Sequence, residues 1–225
     1  MLAPISTNGP AETRGALAYN LAGIAVLVLL LAVGLAYLVD RAGQIPARPV
    51  AALGDGDAVQ QTIAGRELEI PATWFRYGEQ MKAGFASQID LQFMLELEPG
   101  LAPIPVGVTL LPRSRARPSS ALLDAVYLHH FEEGTVGGVP GLVGKALVPR
   151  DGYAGEMVWY DPLSPMPFVA KCAQAVEPGR PEQCLRTIHL QSGLAAVLSF
   201  GAEALPYWRG FDQELALWFD QIGAL

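Results

Sequence analysis

From Ile89 onward the chain alternates. Ile89, Leu91, Phe93, Leu95 and Leu97 are separated by Asp90, Gln92, Met94, Glu96 and Glu98. A period of two predicts a strand with one buried face, and Pro99-Gly100 closes it. Shorter runs repeat the pattern. Leu68 and Ile70 alternate with Glu67 and Glu69 before Pro71, and Val106, Val108 and Leu110 begin another strand. Leu142–Val148 and Glu156–Tyr160 predict a hairpin turned at Arg150-Asp151-Gly152. Phe168–Ala173 and Leu185–Leu190 predict a second, and Leu194, Ala196, Leu198 and Phe200 a last strand. Two helices fit a longer period. Ser120 is placed to cap a segment through Leu123, Val126, Tyr127 and Phe131. Over Pro206–Gln221, Phe211, Leu215, Trp218, Phe219 and Ile222 fall on one stripe, with Asp212, Gln213 and Glu214 facing away. Six or seven strands with few helices between them predict an α+β domain with one antiparallel or mixed sheet and two packing helices.

The N-terminal part follows neither period. Residues 16–39 carry no formal charge, with Val26-Leu27-Val28-Leu29-Leu30-Leu31 at their centre and Tyr19 and Tyr37 near the ends. As a helix this run is about 36 Å long, against a hydrocarbon core of about 30 Å. It predicts a single transmembrane helix. It is longer than the apolar stretch of a cleaved signal peptide, and no clear Ala-x-Ala site follows it. The expected organisation is a disordered tail over 1–15, the span over 16–39, a linker over 40–61 and a folded domain over 62–225. The linker carries Ile45-Pro46-Ala47-Arg48-Pro49 and Gly54-Asp55-Gly56-Asp57. The Asp-Gly-Asp string lacks the later ligands of a calcium loop and reads as solvated chain.

Composition narrows the function classes. Of 225 residues, 51% are hydrophobic and 16% charged, which excludes a disordered chain. The net charge of −7 argues against nucleic-acid binding. Lys and Arg are near balance on the two flanks of the apolar run, so charge does not orient it. The two cysteines do. Cys172 and Cys184 flank the turn-rich stretch Glu177-Pro178-Gly179-Arg180-Pro181-Glu182. A disulfide between them persists only in an oxidising compartment. The expected location is therefore the bacterial inner membrane, with the large domain periplasmic.

Chemistry is sparse. No Gly-x-Ser-x-Gly elbow, His-Glu-x-x-His pair or phosphate-binding glycine loop is present. His129 and Glu133 would share a helix face and could meet His189, but they do not make a closed ligand set, so no metal and no cofactor is expected. Glu156, in an otherwise apolar strand, is a functional-site candidate if it is buried, whereas strand alternation turns it toward solvent. Arg113, Arg115 and Arg117 form a basic cluster suited to anionic lipid or an acidic partner. Trp74, Phe75, Tyr207 and Trp208 read as core or rim aromatics.

Several stretches carry a resemblance: Gly65-Arg-Glu-Leu-Glu-Ile-Pro71 with Trp74-Phe-Arg76, Ser87–Leu95, Gly152-Tyr-Ala-Gly-Glu156, Phe168-Val-Ala-Lys-Cys172, Cys184-Leu-Arg186 and Tyr207-Trp-Arg209. In these the chain resembles uncharacterised transmembrane-anchored proteins of alphaproteobacteria. That resemblance implies a membrane anchor and transfers no catalytic residue. A strand ending in Pro shortly before Trp, with a closing helix, is also similar in shape to the extrinsic PsbP-like fold of photosystem II. The expected function is a non-catalytic accessory or scaffold protein of an envelope complex. Its expected partners are the lipid bilayer and another envelope or membrane protein. The competing reading is a membrane-tethered enzyme or ligand binder with a cleft near His129, Glu133 and Glu156.

Overall fold

The computed structural model describes residues 23–36, 51–54, 56–149, 155–174 and 181–225. The chain divides into two units, 1–48 and 49–225. In the first, residues 23–36 form helix α1, whose side chains are exposed. This corrects the membrane reading. Among the described residues no helix is long and apolar enough to cross a membrane. A helix over 23–36 is about 21 Å long, well short of a hydrocarbon core of about 30 Å. The inner-membrane location and the bilayer as partner therefore lose their basis. Positions 16–22 and 37–39 of the expected span lie outside the described residues, as do the tail 1–15 and the turn at Arg150-Asp151-Gly152.

The second unit is mostly β, which corrects the α+β expectation of a single sheet. Ten strands form two sheets among the described residues. A three-stranded sheet has the order β2-β1-β3, from β1 (Ala58–Ile63), β2 (Arg66–Pro71) and β3 (Gly84–Phe85). A seven-stranded sheet has the order β4-β5-β10-β9-β8-β7-β6. Its strands are β4 (Ile89–Leu95), β5 (Ile104–Pro112), β6 (Val143–Ala146), β7 (Glu156–Tyr160), β8 (Val169–Ala173), β9 (Gln183–His189) and β10 (Leu194–Gly201). It is antiparallel throughout. In the small sheet β1 runs antiparallel to β2 and parallel to β3. Strand β1 begins at Ala58, inside the stretch expected to be linker. Its sequence, Ala-Val-Gln-Gln-Thr-Ile, shows no clean alternation because Gln61 is buried.

The helices are shorter than their apolar periods suggest. Helix α2 is Ser119–Ala125 and starts after Pro118, with no side-chain cap. Ser120 is thus not a cap, and Ser119 instead accepts the Thr187 N–H through Oγ at 2.8 Å. The helix stops at β-branched Val126, and Tyr127–His129 makes a single 3-10 turn. Helix α3 is Trp208–Gln221, with Pro206 in the 3-10 segment before it. Its stripe is buried as its spacing predicts: Phe211, Leu215, Trp218, Phe219 and Ile222. These residues cover the face of the large sheet that carries Phe93 and Phe200, in ring contact at 4.7–5.5 Å. Trp74, after β2, closes the same cluster from the other side, 4.7 Å from Trp218. A second, smaller core lies on the opposite face, where Leu123 and Tyr127 pack on Leu147, Val158 and Val169.

Candidate functional site

Helix α2 and its core cover the β6–β8 end of that second face, and the start of α2 reaches Thr187 of β9. By strand alternation the rest of it carries Asp90 and Gln92 from β4, Gly107 and Thr109 from β5, Ser199 and Gly201 from β10, and Gln183 from β9. Arg76 reaches across from the segment beside β4, where its N–H donates to the Asp90 carbonyl at 2.8 Å. Two glycines make the space. A Cβ on Gly107 would lie 2.5 Å from Ser199 Oγ and 3.3 Å from Arg76 Nη1, and one on Gly201 would collide with the Glu203 carboxylate. The result is a shallow cleft of about 270 Å³, with Arg76, Ser199, Gln183 and Glu203 in its lining.

Asp90 anchors the arrangement. It is 8% exposed. Its carboxylate accepts hydrogen bonds from Thr109 Oγ1 at 2.6 Å, Gln80 Nε2 at 2.9 Å and Gln88 Nε2 at 2.9 Å. Burial alone would raise its pKa. The bonds from Thr109, Gln80 and Gln88, with the Arg76 charge, outweigh burial and hold the carboxyl below its ordinary range.

The residues singled out from the sequence do not converge. Glu156 is not left alone in an apolar strand: its Oε1 accepts from Lys171 Nζ at 2.7 Å, across the β7–β8 pair. His129 and Glu133 are exposed and do not share a helix face, because α2 ends before them. His189 stands apart from both. Its Nε2–H donates to the Ala116 carbonyl at 2.8 Å, and Nδ1 accepts from Arg113 Nε at 2.8 Å. Among the described residues no group of three or more His, Cys, Asp or Glu is gathered for a metal. The cleft expected near His129, Glu133 and Glu156 is therefore not assembled. Of the basic cluster, Arg113 is spent on His189 and Arg115 on the Ser87 carbonyl at 3.1 Å. Arg117 is exposed.

Two of the most exposed apolar side chains lie elsewhere. Leu163 is 91% and Met166 84% exposed, both in the loop joining β7 to β8. That loop reads Asp-Pro-Leu-Ser-Pro-Met-Pro over 161–167. Its three prolines fix φ. Asp161 Oδ1 accepts the Leu163 N–H at 3.0 Å, and Ser164 Oγ accepts the Met166 N–H at 3.2 Å. The Asp161 N–H closes the base on the Phe168 carbonyl at 3.0 Å. Phe168 is buried against Trp208 and under the Arg186 guanidinium, 4.4 Å from its ring. Two large apolar side chains thus project into solvent from a braced support. The proline, Asp and Ser spacing signals a stiff turn in the sequence, but Leu and Met there read equally well as core.

Cys172 and Cys184 form a disulfide as their spacing suggests. They sit opposite each other on β8 and β9, Cα to Cα 3.9 Å, facing the main core.

No family model and no curated protein matches this sequence. The fold is similar to that of an immunity protein of the Stenotrophomonas maltophilia type IV secretion system. The TM-score is 0.50 at 12% identity, over 77% of this chain and 98% of that one. At that identity the likeness concerns the fold.

Proposed function

We propose that the β-rich domain is a non-catalytic accessory protein that works by binding another protein. The observation that carries this is the β7–β8 loop, with Leu163 and Met166 almost fully in water on a scaffold already paid for in entropy. Large apolar side chains held out in this way are characteristic of the anchors that a partner's pocket desolvates. The likeness in fold to a secretion-system immunity protein supports a binding role, and the disulfide fits an oxidising compartment. Two of the titratable groups picked out from the sequence are engaged in holding structure: Glu156 on Lys171, and His189 between Arg113 and Ala116.

The test is Leu163→Ser combined with Met166→Ser. Each buried side chain of this kind is worth about 1.5–3 kcal/mol. The double variant should keep its melting temperature and weaken association with a crosslinked partner in extracts of the source cell by about a hundredfold or more. The reading is overturned if the variant recovers the same partner with undiminished affinity.

A further inference from the structure

We propose that the open edge of the small sheet, at β3, takes an extended basic segment of a partner protein. This rests on the protein-binding reading above and names the chemistry of a second contact surface. Strand β3 is the last strand of its sheet, and no strand lies beyond it among the described residues. It is held in place from behind. The Ala86 N–H donates to the Thr62 carbonyl at 2.9 Å. Gln61, 4% exposed, donates through Nε2 to the Gln80 and Lys82 carbonyls at 2.5 and 3.0 Å, which pins the incoming segment to β1. An edge so placed is a template for one more strand.

Its side chains state what kind of strand. Phe85 is 94% exposed. In the register Thr62 faces Phe85 on one side and Glu67 on the other, and Gln60 faces Glu69. Residues paired across a sheet share a face, so the ring, Thr62 and Glu67 form one row, with Glu69 beside it. Leu68 and Ile70 point the other way, into the core. The β1–β2 turn is tight, with Ala64 and Gly65 at φ of 51° and 79°. Together with Ser192 this turn, Thr62, Glu67 and Phe85 line an open concavity of about 630 Å³. Arg66 also borders it but alternates away from Glu67.

An aromatic face with exposed Glu67 across Thr62 in the same concavity, and exposed Glu69 beyond it, suits a Lys or Arg side chain. The cation lies over the ring and its charge meets Glu67 or Glu69. The backbone of the same segment pairs with β3. The net charge of −7 adds long-range attraction for a basic partner and repels an acidic one.

The experiment uses the full chain and a short, terminally blocked fluorescent peptide alternating lysine and threonine, read by anisotropy. A counterpart alternating glutamate and threonine serves as control. The lysine peptide should bind and the glutamate peptide should not. Phe85→Ala should weaken binding about threefold to fivefold. Glu67→Gln with Glu69→Gln should weaken it about fivefold or more. The charge-matched pair Glu132→Gln with Glu133→Gln, both exposed in the segment before β6, should change it less than about twofold. Equal loss in the control pair reduces the effect to net charge and overturns the proposal. So does binding that is absent, or unaffected by Phe85→Ala, or equal for the glutamate peptide. If peptide binding fails while the partner captured through Leu163 and Met166 persists, only this edge is misassigned.

Discussion

Replacing Trp218 by Ala tests whether α3 holds the domain together by itself. Trp218 is 2% exposed and sits between Trp74 at 4.7 Å and Phe93 at 4.9 Å. Deleting a buried aromatic of this size typically costs about 3–5 kcal/mol, and the loss of two ring contacts places this site at the upper end. One term runs the other way. The indole Nε1 is buried with no hydrogen-bond partner, so the native state already bears about 1 kcal/mol or more that Ala removes. The net expectation is a loss of about 3–4 kcal/mol, a large part of the ~5–15 kcal/mol typical of a domain. At about 2–4 °C per kcal/mol the melting temperature should fall by roughly 10 °C. Trp218→Phe separates the terms. It keeps much of the ring packing and removes the unpaired N–H, so it should stay within about 1 kcal/mol of the parent. Urea unfolding followed by far-UV circular dichroism is the suitable assay, since Trp74, Trp159 and Trp208 would confuse fluorescence. If Trp218→Ala loses less than about 1 kcal/mol in the isolated protein, the stripe of α3 is not what closes this core.

Three further outcomes are expected. Asp90 has a folded pKa below its unfolded value, so the unfolded chain takes up the proton first. Its stabilisation is complete above about pH 4 and is lost as the pH falls through the folded value, and Asp90→Asn should flatten the acid limb of a urea-midpoint profile. Reduction of Cys172–Cys184, separated by 12 positions, should cost about 3 kcal/mol in the same assay, and thiol labelling of unreduced, denatured protein should find no free Cys. Arg186 is buried, stacked on Phe168 and held by a bidentate pair with the half-exposed Asp212. Asp212→Ala should cost about 2 kcal/mol, less than a fully buried pair because water reaches the carboxylate. Calorimetry at neutral pH checks it.

The sequence by itself determined those features whose signal is local. β4 is legible because every second side chain from Ile89 to Leu95 enters one core, and a period of two needs no knowledge of that core's other wall. The stripe of α3 is legible for the same reason at helical spacing, and the disulfide because two cysteines flank one hairpin. What depends on distant pairing was not legible. β1 is polar at Gln60 and Gln61 and becomes a strand only because β2, β3 and the carbonyls of Gln80 and Lys82 satisfy it, so a second sheet went unread. The apolar run at 16–39 is strong as composition, yet among the described residues no helix is long and apolar enough to cross a membrane. The surfaces were the least visible. Phe85, Leu163 and Met166 have core-type side chains, and only the tertiary structure leaves them in water. Arg76 lies over Gly107 and Ser199 because β4, β5 and β10 stand side by side. Hydrophobicity along a chain reports that a residue tends to be buried, whereas exposure is set by which other segments arrive to cover it.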